Sequence, residues 1–245
     1  MPNSSPSSRR LEGRVAVITG ASRGIGAATA KRFAAEGVHL ILVARTVGGL
    51  EEIDDEVKKR GGSATLCPFD LTDYAAIDRL GAAIFERWKR LDILVANAGL
   101  LGTLTPLAHI KPKEWDQVLA VNLTANWRLI RSLDPLLRAS PSGRAIFVTS
   151  GVAQGMRAYW GTYAVSKAGL EMLATTYAAE TQKTNLRVNL LDPGRIRTAM
   201  RAAAYPGEDP KTLPPPEHVT DLMVELASPE CTRHGERITV PGVAK

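Results

Sequence analysis

Short apolar runs alternate with longer amphipathic stretches along almost the whole chain, and this order restricts the fold more than any other feature. The runs occupy residues 14–19 (RVAVIT), 38–44 (VHLILVA), 64–69, 92–96 (DILVA), 144–149 (RAIFVT), 186–191 (LRVNLL) and 237–240. Helical patterns follow them, to residue 36, to about 60, to about 89, over 114–138, over 161–182 and near 217–226. Runs that are continuously Val, Ile and Leu, rather than alternating with polar residues, belong to strands buried on both faces. Strict alternation of strand and helix implies right-handed crossovers and a parallel sheet. The expected fold class is therefore α/β: one domain, a doubly wound parallel sheet of about seven strands with helices on both faces. Residues 1–12 are Ser/Pro-rich and read as a flexible arm, leaving 13–245 as the folded domain.

Composition removes several classes of protein. With 44% hydrophobic and 23% charged residues among 245, the chain is neither disordered nor fibrous. Cys67 and Cys231 lie far apart with no CxxC, and the four histidines are scattered, so neither a disulfide framework nor a metal site is expected. The absence of a long apolar run and of a signal-like leader leads to the expectation of a cytoplasmic protein with no membrane association. The net charge of +6 includes Arg9 and Arg10 of the leader, and the remaining basic residues are interspersed with acids. No basic stripe suggests nucleic acid, although a mild positive bias would favour a phosphorylated small ligand.

Such a ligand has a natural seat in Thr19-Gly20-Ala21-Ser22-Arg23-Gly24-Ile25-Gly26. Three glycines spaced GxxxGxG permit a tight turn, close approach of a pyrophosphate to the backbone, and close packing of helix on strand. The helix N-terminus then directs its amides at the anion. Gly-rich turns also occur as plain bends, but this one leaves the first strand and opens a helix, the context that binding requires.

The end of the second run bears on which dinucleotide would bind. An acid there would hold a ribose 2′-hydroxyl, whereas arginine accommodates a 2′-phosphate. The run ends Val43-Ala44-Arg45, no acid follows until Glu51, and Arg23 lies in the turn itself. Either arginine alone could be a surface residue; together with the missing acid they favour NADP(H).

Tyr163-Ala164-Val165-Ser166-Lys167 falls in a helical stretch, which puts Tyr163 and Lys167 on one face. A nearby ammonium would lower the phenol's pKa and make it a usable acid and base. YxxxK alone could be an ordinary helix-face pair. Ser150, however, ends the fifth run at the carboxyl edge of the sheet, where α/β proteins bind ligands.

TGASRGIG, Ala96-Asn97-Ala98-Gly99, Ser150, YAVSK and Pro193-Gly194 occur in an order and spacing that resemble the short-chain dehydrogenase/reductase family from Leu11 to about Val240. The resemblance implies a Rossmann fold and a hydride transfer between nicotinamide and a carbonyl or secondary alcohol. It makes Tyr163 the general acid/base, with Lys167 lowering its pKa and holding the nicotinamide ribose. Ser150 would bond the substrate oxygen, and Asn122 would place a water in the proton relay. Gly20, Ser22, Arg23, Gly24, Ile25, Gly26 and Arg45 would hold the pyrophosphate and adenosine end. Asp70 and Leu71 would meet the adenine. Asn97, Ala98, Gly99, Pro193 and Gly194 would flank the cofactor, and Ile196 and Thr198 would contact the nicotinamide amide.

On residues alone, Asn122 could instead be a polar residue that bends a helix, and Asp70 a helix cap with Thr72. A reductase of 3-oxoacyl thioesters and a non-catalytic dinucleotide-binding regulator are the alternative functions; the complete tetrad argues against the regulator. The sequence departs from the family pattern in three places: Ala96 stands where many relatives carry a first Asn, and two departures lie further along the chain. Asp192 stands before Pro193 where a neutral residue is commoner, which would put an extra carboxylate near the cofactor. The close Val240-Pro241-Gly242-Val243 lacks the usual Asp-Gly-Gly, leaving the expected assembly a homodimer or homotetramer. Trp160 and Met156 are candidates for the substrate pocket. Residues 195–216, punctuated by Tyr205-Pro206-Gly207 and Pro214-Pro215-Pro216, are expected to be an irregular substrate lid.

Overall fold

The computed structural model describes residues 9–242, so the first eight residues of the expected arm lie outside the described residues. The last four do not form a free arm. Leu11 is fully buried in a core cluster, and the Arg10 amide donates to the Glu36 carboxylate at 2.9 Å. The folded unit therefore begins before residue 13. One leucine in a polar stretch finds an apolar site, which the average composition of that stretch conceals.

Seven parallel strands form one sheet: β1 (Val15–Thr19), β2 (His39–Ala44), β3 (Ser63–Pro68), β4 (Ile93–Ala96), β5 (Arg144–Val148), β6 (Arg187–Asp192) and β7 (Arg237–Thr239). Their order is β3-β2-β1-β4-β5-β6-β7. The register sets Val17 between Ile41 of β2 and Leu94 of β4. The chain winds outward from β1 to β3, then returns to place β4 on the other side of β1. That reversal leaves a crevice above the carboxyl ends of β1 and β4.

Among the described residues, eight α-helices accompany the sheet: α1 (Gly24–Ala35), α2 (Val47–Lys59), α3 (Tyr74–Trp88), α4 (Pro112–Leu119), α5 (Ala125–Ala139), α6 (Gly161–Thr181), α7 (Ala199–Ala204) and α8 (Thr220–Ala227). Successive strand residues point to opposite faces, and each face has its own core. Ala16 and Ile18 of β1 pack with α1, α2 and α8, whereas Val15 and Val17 pack with α3, α5 and α6. Because both faces are covered, the strands read as unbroken apolar runs.

Three local departures from expectation affect the site. The single helix expected over 114–138 is two helices, α4 and α5, joined by a π-turn at Ala120–Thr124. The wider turn carries Asn122. The segment 195–216 is not irregular throughout, because Thr198 caps the amide of Arg201 at 3.1 Å and starts α7. The helix expected near 217–226 begins as a 3₁₀ turn, Pro216–Val219, that runs into α8.

At the opposite end of the sheet, the buried Arg144 guanidinium gathers the C-terminal segment. It donates to the carbonyls of Ser228 (3.0 Å), Pro229 (2.6 Å) and Cys231 (3.1 Å), and to those of Gly143 (2.7 Å) and Asn185 (3.3 Å). Among the described residues, no helix is long and apolar enough to cross a membrane, and no cluster of His, Cys, Asp and Glu could hold a metal.

Candidate active site

A cleft of about 870 Å³ lies at the carboxyl ends of the strands, running from Arg45 and Asp70 at one end to Ser150 and Tyr163 at the other. Its floor is the glycine turn. Gly20 (φ +66°) and Gly24 (φ +57°) hold left-handed conformations, and a Cβ on Gly20 would sit 3.0 Å from both Ala98 Cα and Asn97 Nδ2. A Cβ on Gly26 would overlap the Gly20 carbonyl oxygen. Gly26 therefore does not face the cleft; it lets α1 pack beneath the turn. Gly20, Ser22, Arg23, Gly24 and Ile25 do line it. Arg23 is the N-cap of α1 and makes no side-chain cap, so the first amides of the helix are left for an anion. Beneath the turn, Asn97 Nδ2 donates to the carbonyls of Thr19 (2.9 Å) and Gly20 (3.3 Å), tying β4 to β1. Asn97, Ala98 and Gly99 form the adjoining wall.

At the outer end, β2 finishes in Ala44 with no carboxylate, followed by Arg45 and Thr46 on the cleft wall. Arg45 Nη1 lies 3.8 Å from Asp70 Oδ2, a half-exposed pair that leaves the guanidinium open to another anion. Asp70 Oδ1 accepts the amide (2.9 Å) and hydroxyl (2.8 Å) of Thr72. The turn-anchoring role is thus present, but the cap of α3 is Asp73, which accepts the Ala76 amide at 3.0 Å. Leu71 packs below Asp70 and borders the cleft.

At the inner end, α6 runs against the tips of β4 and β5. Tyr163 and Lys167 are both buried on one of its faces, and the Ser150 hydroxyl, which accepts the Val152 amide at 3.5 Å, lies beside the Tyr163 hydroxyl. Lys167 Nζ donates to the Val148 carbonyl at 2.8 Å and stands 5.8 Å from the centre of the Tyr163 ring. Burial pushes the Tyr163 hydroxyl up to about 12; Ser150 opposes this and the Asp192 carboxylate adds to it. The lowering expected from Lys167 is overturned. Burial also pulls the Lys167 ammonium down to about 8, with the Glu171 carboxylate opposing that shift. The expected pair is brought together, and burial is the largest influence on each of the two groups.

Asn122 does not reach the cleft. It lies one layer behind, fully buried, where Oδ1 accepts the Leu100 amide (2.7 Å) and Nδ2 donates to the Leu100 carbonyl (2.9 Å) and Ser166 Oγ (2.9 Å). The π-turn around it interrupts the helix, as the alternative reading of Asn122 as a helix-bending polar residue expects. Pro193, Gly194, Ile196 and Thr198 line the wall opposite α6, and Met200, Ala203 and Ala204 of α7 extend it. The α7 residues were missed because the prolines around them masked an Ala-rich helix.

Trp160 borders the cleft, with its ring 6.0 Å from Tyr163 and 5.8 Å from Tyr205. Arg157 Nη1 donates to the Tyr205 hydroxyl at 2.9 Å, and the Arg201 guanidinium stacks 3.7 Å from the Tyr205 ring. Met156 faces away, fully exposed.

The chain matches the model of the family described as short chain dehydrogenase over residues 14–209. The chain belongs to that family. Across 231 residues it is 36% identical to the uncharacterized oxidoreductase YciK of Escherichia coli (strain K12), covering 93% of this chain and 91% of that protein. An uncharacterized NAD-dependent oxidoreductase of Mycobacterium tuberculosis (strain CDC 1551 / Oshkosh) is 33% identical over 249 residues, covering 89% of this chain and 90% of its own. A candidate short chain dehydrogenase of Shigella flexneri 2a str. 301, solved in complex with NADP, superposes with a TM-score of 0.92 at 34% identity and covers 96% of this chain and 99% of its own. The chain is accordingly a short chain dehydrogenase family oxidoreductase with the family's parallel sheet. Relatives that use different dinucleotides leave cofactor choice to the residues at the end of β2.

Proposed function

We propose that this protein is an NADP(H)-dependent oxidoreductase that interconverts a carbonyl and a secondary alcohol on a small molecule. One observation carries the reading: a single cleft joins an acid-free β2 end, flanked by Arg23 and Arg45, to a buried Ser150–Tyr163–Lys167 cluster. The NADP-bound relative is consistent with it.

The residues present fit the dinucleotide. Gly20 and Gly24 keep the turn clear of side chains, and the uncapped amides of α1 suit a pyrophosphate. Arg45 and Arg23 offer two guanidinium groups to a 2′-phosphate, and Ala44 presents no competing charge. When bound, the cofactor supplies or accepts the hydride.

The protein supplies the proton and the geometry. With its pKa near 12, Tyr163 is protonated at neutral pH and donates to the developing alkoxide during reduction. The Ser150 hydroxyl, beside that of Tyr163, holds the carbonyl oxygen in line with it. Lys167, bonded to the Val148 carbonyl of β5, would hold the nicotinamide ribose. Asn122 clamps the backbone of Leu100 and so fixes the wall facing Lys167, where a Cβ on Gly99 would lie 3.4 Å from Asn122 Oδ1 and 3.6 Å from Lys167 Nζ. Trp160 and the alanines of α7 provide an apolar wall for the remainder of the substrate, with Tyr205 joining the lid to the Arg157–Trp160 loop.

The test is a panel of aldehydes, ketones, quinones and 3-oxoacyl thioesters, each with NADPH. Turnover that falls by about 10²–10⁴-fold in Tyr163→Phe, with NADPH binding retained, supports the reading. Absence of turnover on every carbonyl class, in protein that binds NADPH, contradicts it.

A further inference from the structure

The two carboxylates whose charges act on the Tyr163–Lys167 pair, Asp192 at the end of β6 and Glu171 one turn beyond Lys167, share one partner. Arg237 of β7 donates through Nε to Glu171 Oε1 and through Nη2 to Asp192 Oδ2, each at 2.8 Å. Nη2 also lies 3.4 Å from the Ser150 carbonyl oxygen. All three side chains are largely out of water, with exposures of 18% for Arg237, 14% for Glu171 and 7% for Asp192.

The other bonds of this cluster converge on the same turn. Glu171 Oε1 accepts the Thr149 hydroxyl at 2.8 Å, and Asp192 Oδ1 accepts the Gly194 amide at 3.0 Å. Ser150 is thus held from behind on both sides, through the side chain of Thr149 and through its own carbonyl. The Pro193–Gly194 corner of the cleft is held by the same carboxylate. Arg237 reaches Ser150 at its carbonyl and not at its hydroxyl, so the brace leaves the hydroxyl free to act beside Tyr163.

We propose that Arg237 is a positioning residue for the reaction. Its guanidinium fixes Ser150 against Tyr163 and neutralises the carboxylates that face the Tyr163–Lys167 pair. Among the groups acting on that pair, Ser150 acts on Tyr163 through its hydroxyl and Asp192 by its charge, and Glu171 acts on Lys167 from their shared helix. Arg237 sits behind both carboxylates. Removing it leaves two negative charges beside the phenol and the ammonium, which favours the protonated form of each. Removing Asp192 has the opposite effect on Tyr163.

The inference rests on Tyr163 being the acid/base, and the experiment separates the two claims. The pH dependence of kcat for alcohol oxidation with NADP is measured for the parent and for Arg237→Gln, Arg237→Lys, Asp192→Asn and Tyr163→Phe. Folding is checked by circular dichroism and NADP affinity by calorimetry. In Arg237→Gln, kcat falls roughly 10–100-fold with NADP affinity unchanged, and the rising limb moves about one unit alkaline. In Asp192→Asn the limb moves acid. Arg237→Lys keeps the charge but loses the fork, so the limb stays in place while kcat drops. If Arg237→Gln does not fold, the opposed behaviour of the lysine and asparagine variants decides the matter.

Limbs that stay at the parental pH in both Arg237→Gln and Asp192→Asn overturn the proposal, as does parental kcat in Arg237→Lys. A Tyr163→Phe enzyme with parental turnover overturns the acid/base reading instead.

Discussion

The Lys167 ammonium donates to the Val148 carbonyl at 2.8 Å, fastening α6 to the tip of β5 directly beneath the reacting end of the cleft. The same ammonium stands 5.8 Å from the centre of the Tyr163 ring. Burial makes Tyr163 keep its proton well into the alkaline range, against the opposing influence of Ser150. The two halves of the YxxxK pair divide the work: one side chain carries the proton, and the other is a buried cation that would hold the ribose.

A distinctive pH dependence follows. Tyr163 is needed protonated for reduction and ionised for oxidation, and its value near 12 leaves it protonated throughout the usual working range. Carbonyl reduction is expected to be level below about pH 8 and to weaken above it as Lys167 loses its charge. Alcohol oxidation is expected to climb with pH over the same span, because the ionised fraction of the phenol rises. Initial rates in both directions check this. An oxidation rate independent of pH contradicts the assignment of Tyr163.

Cofactor preference should depend on Ala44 and Arg45. Each charge-assisted bond from arginine to a phosphate is worth about 1.5–3 kcal/mol before discounting for exposure. The double change Ala44→Asp with Arg45→Ala should weaken NADPH and improve NADH, shifting their ratio of kcat/KM by roughly two decades or more. Raising salt should weaken the parent's NADPH binding more than its NADH binding. A double variant with the parental ratio would return Arg45 to the role of a surface residue.

The Tyr205 latch makes a mechanical prediction. Tyr205→Ala removes the ring between Trp160 and Arg201 and the acceptor for Arg157. Proteolysis within residues 195–216 should accelerate, and KM for the carbonyl should rise several-fold while the melting temperature hardly changes. Unaltered cleavage and KM would show that Tyr205 does not fasten the lid.

Leu11→Ala should destabilise the protein by about 2–5 kcal/mol, the usual cost of emptying a fully buried leucine site. Thermal melting tests this. A melting temperature within a degree or so of the parent would mean that the residues before 13 are an appendage after all.

The sheet was legible because its strands are buried on both faces and so are written as unbroken apolar runs, such as Leu40–Val43 flanked by His39 and Ala44. The glycine turn and the YxxxK pair were legible because their partners are close in the sequence. What could not be read depends on contacts between distant residues. Leu11 looked like part of a polar arm because its neighbours are polar, and the site that buries it is built by residues far along the chain. Asn122 was readable as a residue that bends a helix, but its partners Leu100 and Ser166 lie 22 and 44 positions away. Asp192 was recognised as an extra carboxylate, but its partner Arg237 lies 45 positions away, and Glu171 lies 66 from that same arginine. The direction of the Tyr163 shift was misread for a related reason: spacing shows that a cation is near, whereas only the packing shows how dry the phenol is.

The central claim is that one cleft binds NADPH and that Tyr163 delivers a proton to a carbonyl within it. The most direct measurement is single-turnover consumption of protein-bound NADPH on mixing with a reducible ketone or aldehyde, compared between the parent and Tyr163→Phe. The expected result is rapid consumption by the parent, a rate lower by about 10²–10⁴-fold in the variant, and equal NADPH affinity in both. Equal rates in the two proteins would contradict the account.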